Sequence, residues 1–244
     1  MTSLPDEPTD RLSFLTVQLI GAIQALAAAH TRAEVVTATL GPALRALGAV
    51  AGVLLVVDEA GHSLQVAGTL GHDPGTLSLW QDGPIDGQVP AADVLRTGHA
   101  LYFEHTGALK AAYPDLERRT GTVAAVASAV LPMFLAGRPL GALVLDFAEP
   151  HTFTSQEKDF LETLAAQCTV ALDRAGQLDL LGQRLEDRGR RIDENARAQE
   201  AFMAFTEAVG SEIELPALIR QAITVLQGRF PGSTAVYYER DGAL

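Results

Sequence analysis

The chain has 244 residues, with 18 Lys and Arg against 30 Asp and Glu, a net charge of −12 and an isoelectric point near 4.8. Phosphate backbones and anionic lipid are held by clustered Lys and Arg; this chain has two lysines, Lys110 and Lys158, and arginines dispersed among acids, so neither nucleic acid nor a membrane is expected as a partner. Apolar residues at 48%, punctuated by 22 Gly and 12 Pro, exclude wholesale disorder.

Residues 1–10 are acidic and Pro-rich, unlike the basic and then apolar start of a secretory leader, and read as a disordered terminus. The uncharged apolar runs Ala46–Val57 and Thr120–Gly137 fall short of a membrane span or are broken by Gly and Pro, and a cytoplasmic location is expected. From Arg11 to Gly48 apolar side chains recur at helical spacing, which predicts two helices divided near His30 and Thr31. Ala49–Asp58 and Ser63–Leu70 then predict a hairpin around Gly61. Gly71–Gly121 loses regularity, apart from a short helix at Ala91–Thr97, and a stretch of that length is often functional. Thr122–Phe134 and Leu140–Phe147 read as two apolar strands joined at Ala136–Pro139. Thr154 and Glu157 have the spacing of a capping box, opening a helix with no proline to stop it before Pro216.

That helix turns polar beyond Leu178. Leu164, Ala171, Leu178, Leu185 and Ile192 recur every seven residues and Leu181 lies close by, which predicts one edge of a parallel dimeric coiled coil, with a solvated linker helix as the alternative. Leu12, Leu15, Leu19 and Leu26 could pair with it. The order of the first elements is echoed from Phe202 to Gly242, with Gly242 standing 181 residues after Gly61. This gives residues 11–175 as one domain, 176–199 as a helical linker and 200–244 as the opening of a second, truncated domain with a strand at Thr234–Glu239.

The stretch Ala129–Phe147, with Pro132, Gly137 and Gly141, followed by His151–Ala175 with its Phe153-Thr154-Ser155-Gln156-Glu157 start, resembles the closing strands and last helix of a GAF domain. The resemblance implies an α+β fold: an antiparallel sheet of five or six strands, related to that of PAS domains, with the terminal helices on one face, a ligand-sized cavity on the other and a long C-terminal signalling helix. The cavity residues it suggests are Trp80, Asp82, Asp86, His99, Tyr102, Phe103, Tyr113 and Ser128. Trp80 could instead close the core under a loop, and strand alternation turns half of His99, Tyr102, Phe103, His105 and Tyr113 outward.

Cofactors are not expected. The six histidines have no metal or haem spacing, and Asn-Lys, Phe and Asp-Glu residues of a cyclic-nucleotide site are not found. Cys168, the single cysteine, falls among apolar helix positions, away from where a covalent bilin or a thiol-dependent sulfoxide reductase of this family would need it. Asp58, Asp146 and Glu149 read as solvated strand ends. The expectation is a non-enzymatic sensory or regulatory module of a bacterial two-component protein, binding an unknown small molecule or relaying a signal through dimeric helices to an output domain such as a histidine kinase. A ligand-free dimerisation module and an enzyme of the same fold are the alternatives.

Overall fold

No side chain from Leu12 to Ala29 is charged, and the first helix, α1 (Pro8–Ala28), turns Leu15, Ala22 and Leu26 into the core. Thr31 opens α2 (Arg32–Leu47): its hydroxyl accepts from the Glu34 N–H while the Glu34 carboxylate accepts from the Thr31 N–H. Gly48, at φ 72°, ends it by donating its N–H to Leu44 O. The computed structural model describes residues 8–71, 83–116, 125–210 and 215–230; Trp80, Asp82 and the strand read at Thr234–Glu239 lie outside the described residues. Helix α1 includes residues 8–10, which the sequence suggested were disordered, because Arg11 pairs with Glu157 and Asp10 suits a helix N-terminus. Among the described residues, α1 alone is long and apolar enough to cross a membrane by length and composition, a run the sequence reading passed over; its inward stripe belongs to the core.

Strands β1 (Ala51–Val57) and β2 (Ser63–Leu70) form the expected hairpin, and the Asp58 carboxylate accepts from the N–H groups of His62 and Ser63 at 2.8 and 3.2 Å. Next come β3 (Gly83–Pro84), α3 (Pro90–Thr97), β4 (Leu101–Phe103), α4 (Thr106–Ala112), β5 (Ala127–Leu135) and β6 (Arg138–Phe147). The β5–β6 turn is two residues, Ala136 at φ 49° and Gly137 at φ 79°, tighter than the four expected, because two left-handed residues match the twist of the flanking strands. The sheet is antiparallel in the order β3-β2-β1-β6-β5-β4. Pro132 stands inside β5 opposite Ala142 rather than at its end, but β4 reaches only as far as Val130, so Pro132 occupies a length of β5 without an outer neighbour among the described residues.

Alternation sorts the strands onto two cores. Leu54, Leu131, Leu143 and Leu145 face α1, α2 and the next helix, α5 (Ser155–Gly210), where Cys168 is also buried. Val53, Leu55, Val130 and Val144 face the opposite way, under α3 and α4. The sequence placed Leu164 and Ala171 in a dimer seam; both are buried in the first core, as are Leu15 and Leu26 of α1. The seven-residue series serves the core of its own domain over its first turns and becomes exposed only at Leu178, Leu185 and Ile192; the neighbouring Leu181 is exposed as well. The chain divides into two units, one ending at Asp179, the other beginning at Leu180 and holding the rest of α5 and α6 (Leu215–Arg229).

Candidate functional site

A row of four residues crosses the sheet face that α3 and α4 cover. Phe103 of β4 stands opposite Ser128 of β5, Ser128 opposite Asp146 of β6, and Asp146 opposite Ala51 of β1. Ser128 is 1% exposed and Asp146 3%, so the carboxyl that the sequence suggested was a solvated strand end is deeply buried. The Ser128 hydroxyl donates to Asp146 Oδ1 at 2.7 Å. Buried polar groups are retained where they are hydrogen-bonded, and this pair stands on a face otherwise made of Val53, Leu55, Val130 and Val144. The sequence did carry a signal for it: Asp146 continues the alternation of Ala142 and Val144, which points it to the covered face.

Around the row, Phe103 meets Tyr113 edge-on at 6.0 Å between ring centroids, and the Tyr113 hydroxyl donates to Asp93 Oδ2 at 2.7 Å. Burial, then the hydrogen bond to Asp93, pushes the Tyr113 phenol up. The structure thus brings together Phe103, Tyr113 and Ser128 of the expected residues and adds Asp146. Tyr102, one residue from Phe103, is turned to the other face, where its ring packs on Phe153 at 5.0 Å with Lys158 Nζ 4.9 Å from its centroid. Asp86 is exposed. His99 is exposed too, its Nδ1 2.8 Å from Thr97 O, on the rim of a separate groove of about 410 Å³ with Pro132 and Glu162. Among the described residues no group of three His, Cys, Asp or Glu is placed to hold a metal ion. Cys168 lies on the far side of the sheet, where burial pushes its thiol up to about 12 against a hydrogen bond with Thr39.

The terminal helices are tied to each other. At the start of α5, Thr154 and Glu157 form the predicted capping box, the Thr154 N–H donating to Glu157 Oε2 at 3.0 Å and the Glu157 N–H to the Thr154 hydroxyl at 3.3 Å. The same carboxylate accepts from the Arg11 guanidinium of α1, and His151 Nε2 lies 3.3 Å from it. Burial pushes the Glu157 carboxyl up, but hydrogen bonds from His151, Arg11 and the Thr154 N–H outweigh it and hold it at about 2. Further along, Arg174 of α5 donates to Leu26 O and Ala29 O, capping the last carbonyls of α1.

Solved structures with the same fold are well covered by this chain at low identity. The GAF domain of an Acinetobacter phosphoenolpyruvate-protein phosphotransferase is 15% identical, with a TM-score of 0.55 over 66% of this chain and 94% of that one. The corresponding domain from Coxiella burnetii is 20% identical, with a TM-score of 0.57 over 68% and 96%. A free methionine-R-sulfoxide reductase from Neisseria meningitidis, solved with its substrate, is 18% identical, with a TM-score of 0.57 over 72% and 99%. No curated protein matches the sequence. The family profile described as GAF domain matches residues 29–173, from the end of α1 through all six strands to the middle of α5, and the chain belongs to the GAF domain family.

Proposed function

We propose that the chain is a non-enzymatic sensory module, in which a small molecule binds against the covered sheet face and the terminal helices, paired with a second copy, pass its occupancy to an output domain such as a histidine kinase. The observation that carries this reading is the buried Ser128–Asp146 pair on an otherwise apolar face, near the strand ends where β5 begins and β6 finishes. A carboxylate there selects ligands that offer N–H or O–H donors or a cation, while Phe103 and Tyr113 offer ring surface. The single thiol, on the opposite face, supports binding over thiol chemistry.

A ligand can move the helices only by its differential affinity for two arrangements. The Arg11–Glu157 and Arg174 contacts give α1 and α5 a joint that would carry such a change. Native mass spectrometry of the full chain tests the reading. The purified protein, or protein titrated with a metabolite set, should carry a stoichiometric added mass, and Asp146→Asn should lose it while remaining folded and dimeric. An Asp146→Asn variant that keeps the ligand with unchanged affinity would remove Asp146 from the site. A dimer that takes up no mass and shows no thermal shift would favour a module that only dimerises, a reading supported by the exposed leucines of α5.

A further inference from the structure

The second unit echoes the beginning of the first in helix boundaries and in the spacing of several apolar positions, though not in residue identity. Helix α2 runs Arg32–Leu47 and α6 runs Leu215–Arg229. In that register every residue of α2 has its counterpart 183 positions on: Val36 maps to Ile219, Leu40 to Ile223, Ala43 to Leu226 and Leu47 to Phe230. The same step takes Leu19 of α1 to Phe202 near the end of α5. The α2 positions are all buried, Leu40 and Ala43 completely, because a sheet lies across them. Of the counterparts, Ile219 and Ile223 are half-buried, while Leu226 is 45% exposed, Phe230 55% and Phe202 69%. Apolar residues held at core spacing yet facing solvent mark a surface meant to be covered.

We infer that the end of α5 and α6 are the opening helix pair of a second domain of the same family, and that their apolar face is the seat of that domain's own sheet. The occupant is thus this chain's following segment, beginning with the strand read at Thr234–Glu239, rather than a second copy. The link from helix to strand is two residues shorter than in the first domain, since the turn glycines are 181 rather than 183 apart. A change of two leaves side-chain parity unaltered. Leu54 and Val56 of β1 therefore correspond to Ala235 and Tyr237, which would face the helices, whereas Leu55 corresponds to Val236, which would face away.

Disulfide trapping in the full chain tests this. Ile223→Cys with Ala235→Cys should close an intramolecular disulfide under mild oxidation about tenfold faster than Ile223→Cys with Val236→Cys, because adjacent strand residues point to opposite faces. Native Cys168 is buried and serves as an internal unreactive thiol, and circular dichroism verifies that both variants stay helical. Equal closure rates, or no closure in either variant, would overturn the assignment. A disulfide that forms between chains would overturn it too, since it would make a second copy the occupant.

Discussion

At the scale of single residues, two side chains on the helix-facing side of the sheet carry opposite expectations. The Tyr102 hydroxyl is the one buried side-chain oxygen or nitrogen without a hydrogen-bond partner among the described residues. Burial, then the negative charges of Glu162 and Asp159, pushes its phenol up to about 12. Tyr102→Phe keeps the ring on Phe153 and under Lys158 while removing an uncompensated polar atom, so it should stabilise the chain by about 1 kcal/mol in urea unfolding. A loss of stability would mean that the hydroxyl has a partner. Glu157 is the reverse case, with every oxygen engaged. Glu157→Gln should cost about 2 kcal/mol at pH 7, as expected for hydrogen bonds to a charged group. Its folded value, about 2, lies below the ordinary carboxylate value of 4.5. The stabilisation is therefore complete above pH 4.5 and is lost as the pH falls from there towards 2. Unfolding curves of wild type and Glu157→Gln should converge over that window, and a constant gap would show that the charge is not what stabilises the joint.

At the scale of elements, Gly141 controls how closely β6 lies on β1. A Cβ at this position would sit 1.9 Å from Leu55 O and 2.9 Å from the Met133 methyl, and neither strand can retreat without breaking the ladder. Gly141→Ala should destabilise by about 3 kcal/mol, measured by thermal and urea unfolding, whereas Gly61→Ala in the first hairpin meets no neighbour and strains only its φ of 75°. The same closing hairpin was the most legible part of the sequence, because glycine spacing and apolar runs are local signals. The capping box of α5 was legible for the same reason. The face each residue takes was harder. Tyr102 and Phe103 were grouped by neighbourhood in sequence, and strand alternation parts them. Asp146 reads as a solvated strand end from sequence because its burial depends on α3 and the sheet together, a non-local fact. Leu164 and Ala171 share their heptad with exposed leucines, and periodicity cannot tell a domain's own core from a partner's helix.

At the scale of the whole molecule, what remains exposed is informative. Leu12, Val17 and Ile20 of α1 face outward on a helix without a charge from Leu12 to Ala29, and Leu178 and Leu185 of α5 are likewise uncovered. Paired copies would bury such residues. Leu178→Asp together with Leu185→Asp should give monomers in sedimentation velocity with the core intact, whereas Leu164→Asp should unfold the domain; dimers that survive the first change would exclude α5 as the interface. Pro132 has a meaning that unfolding experiments on an isolated chain would miss. Among the described residues, the outer length of β5 beyond Val130 is a strand margin on which a foreign polypeptide could add itself rung by rung, and a residue without an N–H withholds one of those rungs. Pro132→Val should leave the melting temperature close to that of wild type yet shorten the lag before turbidity in concentrated, stirred solution. Part of this domain's sequence is then written against a crowd of other chains, and its worth is read in how long a solution stays clear.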